Sequence, residues 1–434
     1  LDTPRYSATQ SLRDLVADGR NWDISGDEEC SERAATVIRE RLLGQVFAVS
    51  AQIVAEEICS MEDVDRGAKV GLRWALGPFE IANRIGVKEA VRMAKVYAQE
   101  ADLELPDWFT ERQDSFEFSY IDVSVNDGIA TVRINRPEAM NALNVTVVSQ
   151  LGEKLDELNA RDDVTTIVLE GAGKAFVAGA DVKFFVDKIR ADSIRDIYDF
   201  TANGHVVLNK LENSPKTTIA LTTGLALGGG LELALACDYR VGTRRSQFRF
   251  PETSIGIYPG LGGTQRTPRI CGTECARYAV LAGNFLDASS AKALGLLTHL
   301  VEPSVVEAVV HQIASQGKPN EKYPSAPAES DHPLVVFATS FYSDGNMSSL
   351  LAGSVPDGFD ADDKMVSRQL KSLSRTAPIA LSMASDLLDV AAGTDLISGL
   401  ESELEGLDDI FNTADALEGL SALIEGRRPE YSST

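Results

Sequence analysis

The chain has 434 residues, of which 44% are hydrophobic, so it holds enough apolar material for two or three domains. Its 41 Lys and Arg residues against 65 Asp and Glu residues give a formal net charge of −24, a field that repels nucleic acid and anionic membranes. Five scattered cysteines form no disulfide framework, no apolar run is long enough to span a bilayer and no basic leader opens the chain, so we expect a soluble cytoplasmic protein.

Residues 1–115 have helical spacing and predict an all-helical module whose helices end near Trp108, where a polar linker over residues 109–117 begins. Two motifs in it, EDVD at 62–65 and GPFEIANRIG at 77–86, resemble the C-terminal helical domain of 3-hydroxyacyl-CoA dehydrogenases. The resemblance covers roughly residues 33–105, and residues 5–20 resemble the closing helix of a preceding copy. It implies that this chain is the C-terminal portion of a bifunctional enzyme of fatty acid metabolism.

Two features of the helical domain depart from the dehydrogenase pattern. Glu40 stands before residues 41–43 where the catalytic copy of that domain has Asn, and no G-x-G-x-x-G motif opens a βαβ unit. The first change removes a catalytic side chain and the second removes a nicotinamide site. We therefore expect a non-catalytic domain, with NAD used only by an N-terminal dehydrogenase part or subunit outside this chain.

The first strand signals follow the linker. Residues 121–125 and 130–134 alternate at period two around an Asn-Asp-Gly turn, which predicts a β-hairpin. Residues 136–143 are then predicted to open a helix, and alternating strand and helix patterns continue to Val301. This pattern indicates an α/β domain.

Two glycine turns occupy strand-to-helix junctions. Residues 178–181, AGAD, follow the apolar run 166–169, and residues 228–230, GGG, follow the apolar run 218–221. Glycine allows backbone N–H groups to turn toward a ligand, so each junction could aim one N–H at the same oxygen. Such an oxyanion hole typically contributes about 2.7 to 4 kcal/mol of transition-state stabilisation per donor.

Two carboxylates accompany these turns. Glu232 lies in the first turn of the helix after Gly230, and Glu252 follows a short aromatic strand and Pro251. Taken alone, Glu232 could be placed in the first helical turn by the helix dipole, and Glu252 could be a solvated residue after a strand. Beside two glycine turns, the pair instead predicts general acid and base chemistry next to a polarised carbonyl.

These segments resemble the signatures of the crotonase superfamily: FVAGADVK at 176–183, GLALGGGLELA at 224–234, and PE at 251–252 with GGTQR at 262–266. The resemblance implies an α/β fold, the ClpP/crotonase-like spiral of ββα turns. Matched by position, the oxyanion-hole N–H groups are those of Ala180 and Gly229, and the two hydratase glutamates are Glu232 and Glu252. The resemblance places coenzyme A contacts on Glu138, Ala139, Met140, Ala178, Asp181 and Lys183.

The resemblance implies an enoyl-CoA hydratase that needs no metal or redox cofactor, because hydrogen bonds stabilise the enolate, and that acts on an acyl-CoA as a homotrimer or hexamer. Related enzymes that isomerise double bonds or hydrolyse thioesters often lack one glutamate of the pair. A double-bond isomerase, a 3-hydroxypropionyl-CoA dehydratase, a non-catalytic CoA-binding scaffold and an RNA-binding crotonase are the alternatives. The acidic charge argues against RNA, and the intact glutamate pair argues against a scaffold.

The predicted domains are 1–115, a crotonase core over 116–305 and a helical extension over 306–434. Within the extension, residues 316–363 form an insertion that is interpreted as a surface excursion or as a cover over the acyl pocket. Cys271 and Cys275 lie four residues apart on a predicted helix, without the His or Cys partners of a metal site. The four histidines lie outside the active-site motifs and are interpreted as structural.

Overall fold

The structure, a computed structural model, describes residues 14, 17, 18 and 31–432. It divides the chain into two compact units, Leu1–Phe118 and Ser119–Thr434, a division that falls close to the boundary proposed at 115/116. The helix predicted over residues 5–20 lies almost entirely outside the described residues. No helix in the described ranges is both long enough and apolar enough to cross a membrane.

The first unit is helical. Gly44 and Met93 mark where its first and fourth helices pack closely, since a Cβ atom on Gly44 would lie 2.5 Å from the Met93 carbonyl oxygen. Its core combines alanine, valine and methionine side chains with four phenylalanines, and the rings of Phe79 and Phe116 lie 4.9 Å apart. Its helices are α1 Glu32–Ala55, α2 Met61–Gly71, α3 Pro78–Ile85, α4 Val87–Ala101 and α5 Asp107–Thr110.

Glu40, the residue that replaces the resembled catalytic Asn, lies on a partly exposed face of α1. Its carboxylate accepts a hydrogen bond from Arg92 on α4 at 2.7 Å, and Arg92 also binds Glu89. Glu40 is therefore part of a surface ion-pair network, an arrangement worth little stability.

The second unit contains two sheets. The strands are β1 Ile121–Asn126, β2 Ile129–Ile134, β3 Thr166–Gly171, β4 Ala175–Ala178, β5 Thr217–Leu221, β6 Leu225–Leu227, β7 Tyr239–Gly242, β8 Gln247–Arg249, β9 Leu286–Asp287 and β10 His299–Leu300. The first sheet has the order β1-β2-β3-β5-β7-β10, and the second has the order β4-β6-β8-β9. The β1–β2 hairpin is antiparallel with Ile121 opposite Ile134, which confirms the predicted turn.

Successive pairs of strands form a spiral. The pairs β3/β4, β5/β6 and β7/β8 each give one strand to each sheet, and parallel pairing stacks them in order. The helices after the first two pairs, α7 and α9, begin at the two predicted glycine turns. The helices of this unit are α6 Val145–Asn159, α7 Val182–Arg190, α8 Ile194–Glu212, α9 Gly229–Ala236, α10 Gly263–Cys271, α11 Thr273–Val280, α12 Ala288–Leu294, α13 Val306–Gln316, α14 Pro333–Phe341, α15 Met347–Leu351, α16 Lys364–Leu373, α17 Pro378–Gly393, α18 Leu396–Glu405, α19 Leu407–Phe411 and α20 Ala414–Glu425.

Two helix predictions were wrong. The stretch predicted to open a helix at 136–143 contains only a 3₁₀ turn, Pro137–Ala139, because Met140 and Asn141 adopt φ values of 49° and 59°. The helix α6 begins later, at Val145. Cys271 and Cys275 lie on two successive helices, since Gly272 between them has a φ of 82°.

The insertion at 316–363 packs into the core through its apolar piece. Helix α14 buries Val335, Ala338 and Phe341, and the ring of Phe337 meets Tyr278 with centroids 6.5 Å apart. No residue of 316–363 lines the cavity of about 260 Å³ described below, and its interpretation as a surface excursion or a cover stays a prediction. Residues 317–332 and 351–363 are mostly exposed, whereas α14 packs into the core and α15 buries Met347 and Leu350.

Candidate active site

The second unit contains a cavity of about 260 Å³ in which the two glycine turns and the two glutamates meet. All four residues predicted to be catalytic line it: Ala180, Gly229, Glu232 and Glu252. Apolar side chains form most of the remaining wall, namely Phe185, Phe200, Ile255, Ile257, Leu407, Phe411, Leu420 and Leu423. The arrangement places a few polar groups in an otherwise apolar pocket, which is typical of a small-molecule site.

The first glycine turn is fixed by a β-bridge. Leu143 donates its N–H to the Gly179 carbonyl at 2.9 Å and accepts from the Asp181 N–H at 2.8 Å. These bonds hold the residues on both sides of Ala180. Within the described part of the chain, the Ala180 N–H itself donates to no protein acceptor.

The second glycine turn places a helix start beside the first. Gly229 is the first residue of α9, so its N–H has no intrahelical partner. A Cβ atom on Gly229 would lie 3.8 Å from the Ala180 nitrogen, which makes the two N–H groups close neighbours. Gly228, with a φ of 48°, cannot carry a side chain, because a Cβ there would overlap the Glu252 carboxylate.

Glu232 is held rigidly in the wall of the cavity. Its Oε1 accepts hydrogen bonds from the Leu261 and Gly263 N–H groups, both at 2.7 Å, and the residue is 1% exposed. Burial raises its pKa well above the usual range, and the negative charges of Glu252 and Glu403 raise it further. The two N–H donors act in the opposite direction because they stabilise the carboxylate.

Glu252 has a different environment. It begins the 3₁₀ turn Glu252–Ile255, and its buried Oε2 has no hydrogen-bond partner among the described residues. Burial raises its pKa to about 8, while its own backbone N–H and the charge of Arg249 lower it. A buried carboxyl oxygen without a partner is costly and uncommon, and a catalytic role is one of the usual reasons for keeping such a group.

The raised pKa of Glu252 has a measurable effect on stability. The folded protein holds this proton up to about pH 8, whereas the ordinary pKa of a glutamate is 4.5, so the residue destabilises the fold increasingly as the pH rises between these values. We expect Glu252→Gln to raise the melting temperature above that of the wild type near pH 8.5 and to change it little near pH 4.5. Thermal unfolding at both pH values measures the difference. Equal shifts at both pH values would contradict the pKa assignment.

The six predicted coenzyme A contacts fall into two groups. Met140 and Ala178 line the cavity. Glu138 and Ala139 lie in the 3₁₀ turn beside it, and Asp181 accepts a hydrogen bond from Arg136 at 3.2 Å. Lys183 is exposed and forms an ion pair with Asp187 at 3.2 Å. The structure thus brings two of the six into the cavity lining, and the roles of all six stay predictions.

Sequence reasoning missed the third buried carboxylate, Glu403. It lies on α18, is fully buried and accepts a hydrogen bond from the Gly262 N–H at 2.7 Å. A signal was present, since Glu403 lies three residues after Leu400 and four before Leu407, on the apolar face of the helical pattern. Arg249 and Tyr258, which also line the cavity, were missed as well.

No three His, Cys, Asp or Glu side chains among residues 31–432 are grouped so that they could hold a metal ion. The Cys271 thiol is instead buried against the Thr267 carbonyl oxygen, at 3.2 Å. His205, predicted to be structural, is buried with its Nε2 2.6 Å from the Gly260 carbonyl oxygen.

Each of the two units matches a known protein family. Residues 129–434 match the enoyl-CoA hydratase/isomerase family, and residues 38–112 match the C-terminal domain of 3-hydroxyacyl-CoA dehydrogenase. A crotonyl-CoA hydratase of Syntrophomonas wolfei is 36% identical over 189 residues, which are 43% of this chain and 71% of that protein. A peroxisomal fatty acid beta-oxidation multifunctional protein of Oryza sativa is 40% identical over 177 residues, 41% of this chain and 24% of that protein. The crystal structure of a carnitinyl-CoA dehydratase from Mycobacterium thermoresistibile shares the fold with a TM-score of 0.62 at 22% identity, covering 73% of this chain and 93% of that one.

Proposed function

The chain belongs to the enoyl-CoA hydratase/isomerase family, and from that premise we propose that it adds water across the 2,3 double bond of a 2-enoyl-CoA to give a 3-hydroxyacyl-CoA. The observation that carries the proposal is the convergence of Glu232 and Glu252 on one cavity beside two free backbone donors. A double-bond isomerase needs only one group that moves a proton. A hydratase must also activate water, for which a second carboxylate is suited.

In the proposed reaction, the Ala180 and Gly229 N–H groups donate hydrogen bonds to the thioester oxygen. Negative charge develops on that oxygen as water adds to C3, so these donors stabilise the transition state more than the substrate. The carboxylate pair takes one proton from the attacking water, and Glu252 delivers a proton to C2. The net change is addition of one water molecule, and the pair ends with the same number of protons as it began.

The environments of the two carboxylates suit this division of labour. Glu232 accepts two N–H bonds, which favour its ionised form, whereas Glu252 has a buried oxygen without a partner and a pKa raised to about 8 by burial. Two buried carboxylates that line one cavity resist carrying two negative charges, and the charge of Glu252 is one cause of the raised pKa of Glu232. Burial raises the pKa of both residues, so we assign one shared proton to the pair near neutral pH. We place it on Glu252 at the start of the reaction, because the two N–H donors on Glu232 Oε1 favour a carboxylate there.

Hydration consumes no redox cofactor, so the crotonase unit works with its acyl-CoA substrate alone. The helical unit matches part of a dehydrogenase that, by the sequence reasoning above, lacks its nicotinamide site here. We assign it a structural role and assign NAD use to a dehydrogenase part or subunit outside this chain. A homotrimer or hexamer is proposed from the family resemblance, and exposed Leu423 and Ile424 on α20 offer apolar surface for such contacts.

The wall of the cavity is mostly apolar, which suits the hydrocarbon part of an acyl chain. One cation, Arg249, also lies in the lining and donates to the Gly283 carbonyl oxygen at 2.5 Å and to Ser254 Oγ at 3.2 Å. Both acceptors are neutral, so these bonds leave the positive charge of Arg249 in the pocket, where a terminal carboxylate on the acyl group would meet it.

Product analysis tests the proposed function. Crotonyl-CoA incubated with the purified chain in ¹⁸O-labelled water is expected to give 3-hydroxybutyryl-CoA that carries the label. A 3-butenoyl-CoA product without added oxygen would identify an isomerase. Tight binding of crotonyl-CoA without any product would identify a non-catalytic CoA-binding protein.

A further inference from the structure

One backbone turn holds two buried carboxylates at once. In residues 261–263, the Leu261 and Gly263 N–H groups donate to Glu232 Oε1, while the Gly262 N–H between them donates to Glu403 Oε2 at 2.7 Å. Gly262 has a φ of 95°, a backbone conformation that turns its N–H away from those of its neighbours. The position of Glu232 is therefore mechanically linked to that of Glu403.

Glu403 is itself fixed by several elements. Its Oε1 accepts a hydrogen bond from the Thr264 hydroxyl, and its backbone carbonyl accepts one from the Tyr258 hydroxyl at 2.6 Å. His205 Nε2 lies 3.4 Å from Glu403 Oε2 and 2.6 Å from the Gly260 carbonyl oxygen, so it bridges the carboxylate and the start of the turn. Glu403 is fully buried, and it reaches the turn from the C-terminal helix α18.

We propose that Glu403 is a positioning residue. It fixes the turn 261–263, and through this turn it orients the carboxylate of Glu232 for its role in hydration. The proposal rests on the proposed function, because it assigns Glu232 to the reaction. Three contacts on one carboxylate make the turn rigid, and a displacement of about 1 Å in a catalytic group can cost about 100-fold in rate. The C-terminal helices thus contribute to the catalytic geometry and not only to the wall of the pocket.

Glu403 also influences Glu232 by its charge. After burial and the charge of Glu252, the charge of Glu403 is the third cause that raises the pKa of Glu232. Removing this charge should lower the pKa of Glu232 and shift the acid limb of the pH profile to lower pH. The titratable and charged groups that face Glu403 are Glu232, His205, Tyr258, Arg266 and Arg269.

The test compares Glu403→Gln with Glu405→Gln, an exposed glutamate on the same helix. For Glu403→Gln we expect kcat to fall by about 10- to 100-fold with little change in KM, and the acid limb of kcat/KM to move to lower pH. Glu405→Gln should leave all three unchanged. Wild-type kcat with an unshifted acid limb in Glu403→Gln would overturn the proposal, because a merely structural contact would not move that limb.

Amide hydrogen exchange of residues 261–263 provides a readout that does not depend on activity. Exchange should be faster in Glu403→Gln than in the wild type and in Glu405→Gln. A wild-type protein without hydratase activity would refute the proposed function, and the exchange rates would still decide whether Glu403 holds the turn.

If Glu403→Gln does not fold, Glu403→Asp replaces it. Aspartate keeps the negative charge but has a shorter side chain. In this variant kcat should fall, amide exchange of residues 261–263 should be faster, and the acid limb of kcat/KM should stay in place. Wild-type turnover and exchange in Glu403→Asp would overturn the proposal.

Discussion

Glu252→Gln is expected to lower kcat for hydration of crotonyl-CoA by about 1,000-fold or more. The substitution removes a carboxyl group that lines the cavity and whose pKa burial raises to about 8. A glutamine amide cannot deliver a proton to C2, so the loss appears in kcat and not only in KM.

The double variant sharpens this prediction. If Glu232 and Glu252 act as a unit on one water molecule, Glu232→Gln/Glu252→Gln should be only slightly slower than the worse single variant. Steady-state kinetics of the three variants and of Glu302→Gln, an exposed control, give the comparison. Losses that multiply in the double variant would mean that the two carboxylates serve separate steps.

Gly229→Pro is expected to reduce turnover by about 100- to 1,000-fold, the typical effect of deleting one oxyanion-hole donor. Proline removes the N–H of residue 229, which makes no hydrogen bond within the helix. The first position of a helix tolerates proline, so the helix itself should form. Gly229 occupies that position in α9.

Gly229→Ala is the matched control, since alanine keeps the N–H but adds a Cβ atom. That atom would lie 3.1 Å from Leu261 Cδ1 and 3.5 Å from Leu143 Cδ1, both of them side-chain carbons that can adjust. The alanine variant should therefore lose far less activity than the proline variant. A circular dichroism spectrum and a melting temperature close to the wild type would show that the proline variant is folded. Equal turnover in the two folded variants would place the oxyanion donors elsewhere.

Much of the fold and of the site was predictable from local sequence signals. The Asn-Asp-Gly hairpin formed as predicted, and the apolar runs 166–169 and 218–221 form β3 and β5, because these patterns depend only on neighbouring residues. The strands that end at the two glycine turns are the short β4 and β6, which were not predicted. The glycine turns and glutamates could be placed in one site because each follows a strand of the same parallel arrangement.

The features that were missed depend on contacts between distant parts of the chain. Glu403 is separated by 141 residues from its donor Gly262, so its role is visible only after folding. The helix predicted at 136–143 does not form because Met140 and Asn141 have positive φ values, and the Asn141 side chain donates to the distant Ala175 carbonyl oxygen at 2.9 Å. The position of the apolar insertion could not be predicted, because hydrophobicity shows that a segment is buried and does not show where.

The most direct test of the central claim is the initial rate at which the enoyl absorbance of crotonyl-CoA is lost when the purified 434-residue chain is added. The account predicts a catalytic rate, proportional to protein concentration, for the wild type and a rate lower by about 1,000-fold or more for Glu232→Gln/Glu252→Gln. A wild-type rate no faster than that of the double variant would contradict the claim that this pair of carboxylates hydrates an enoyl-CoA.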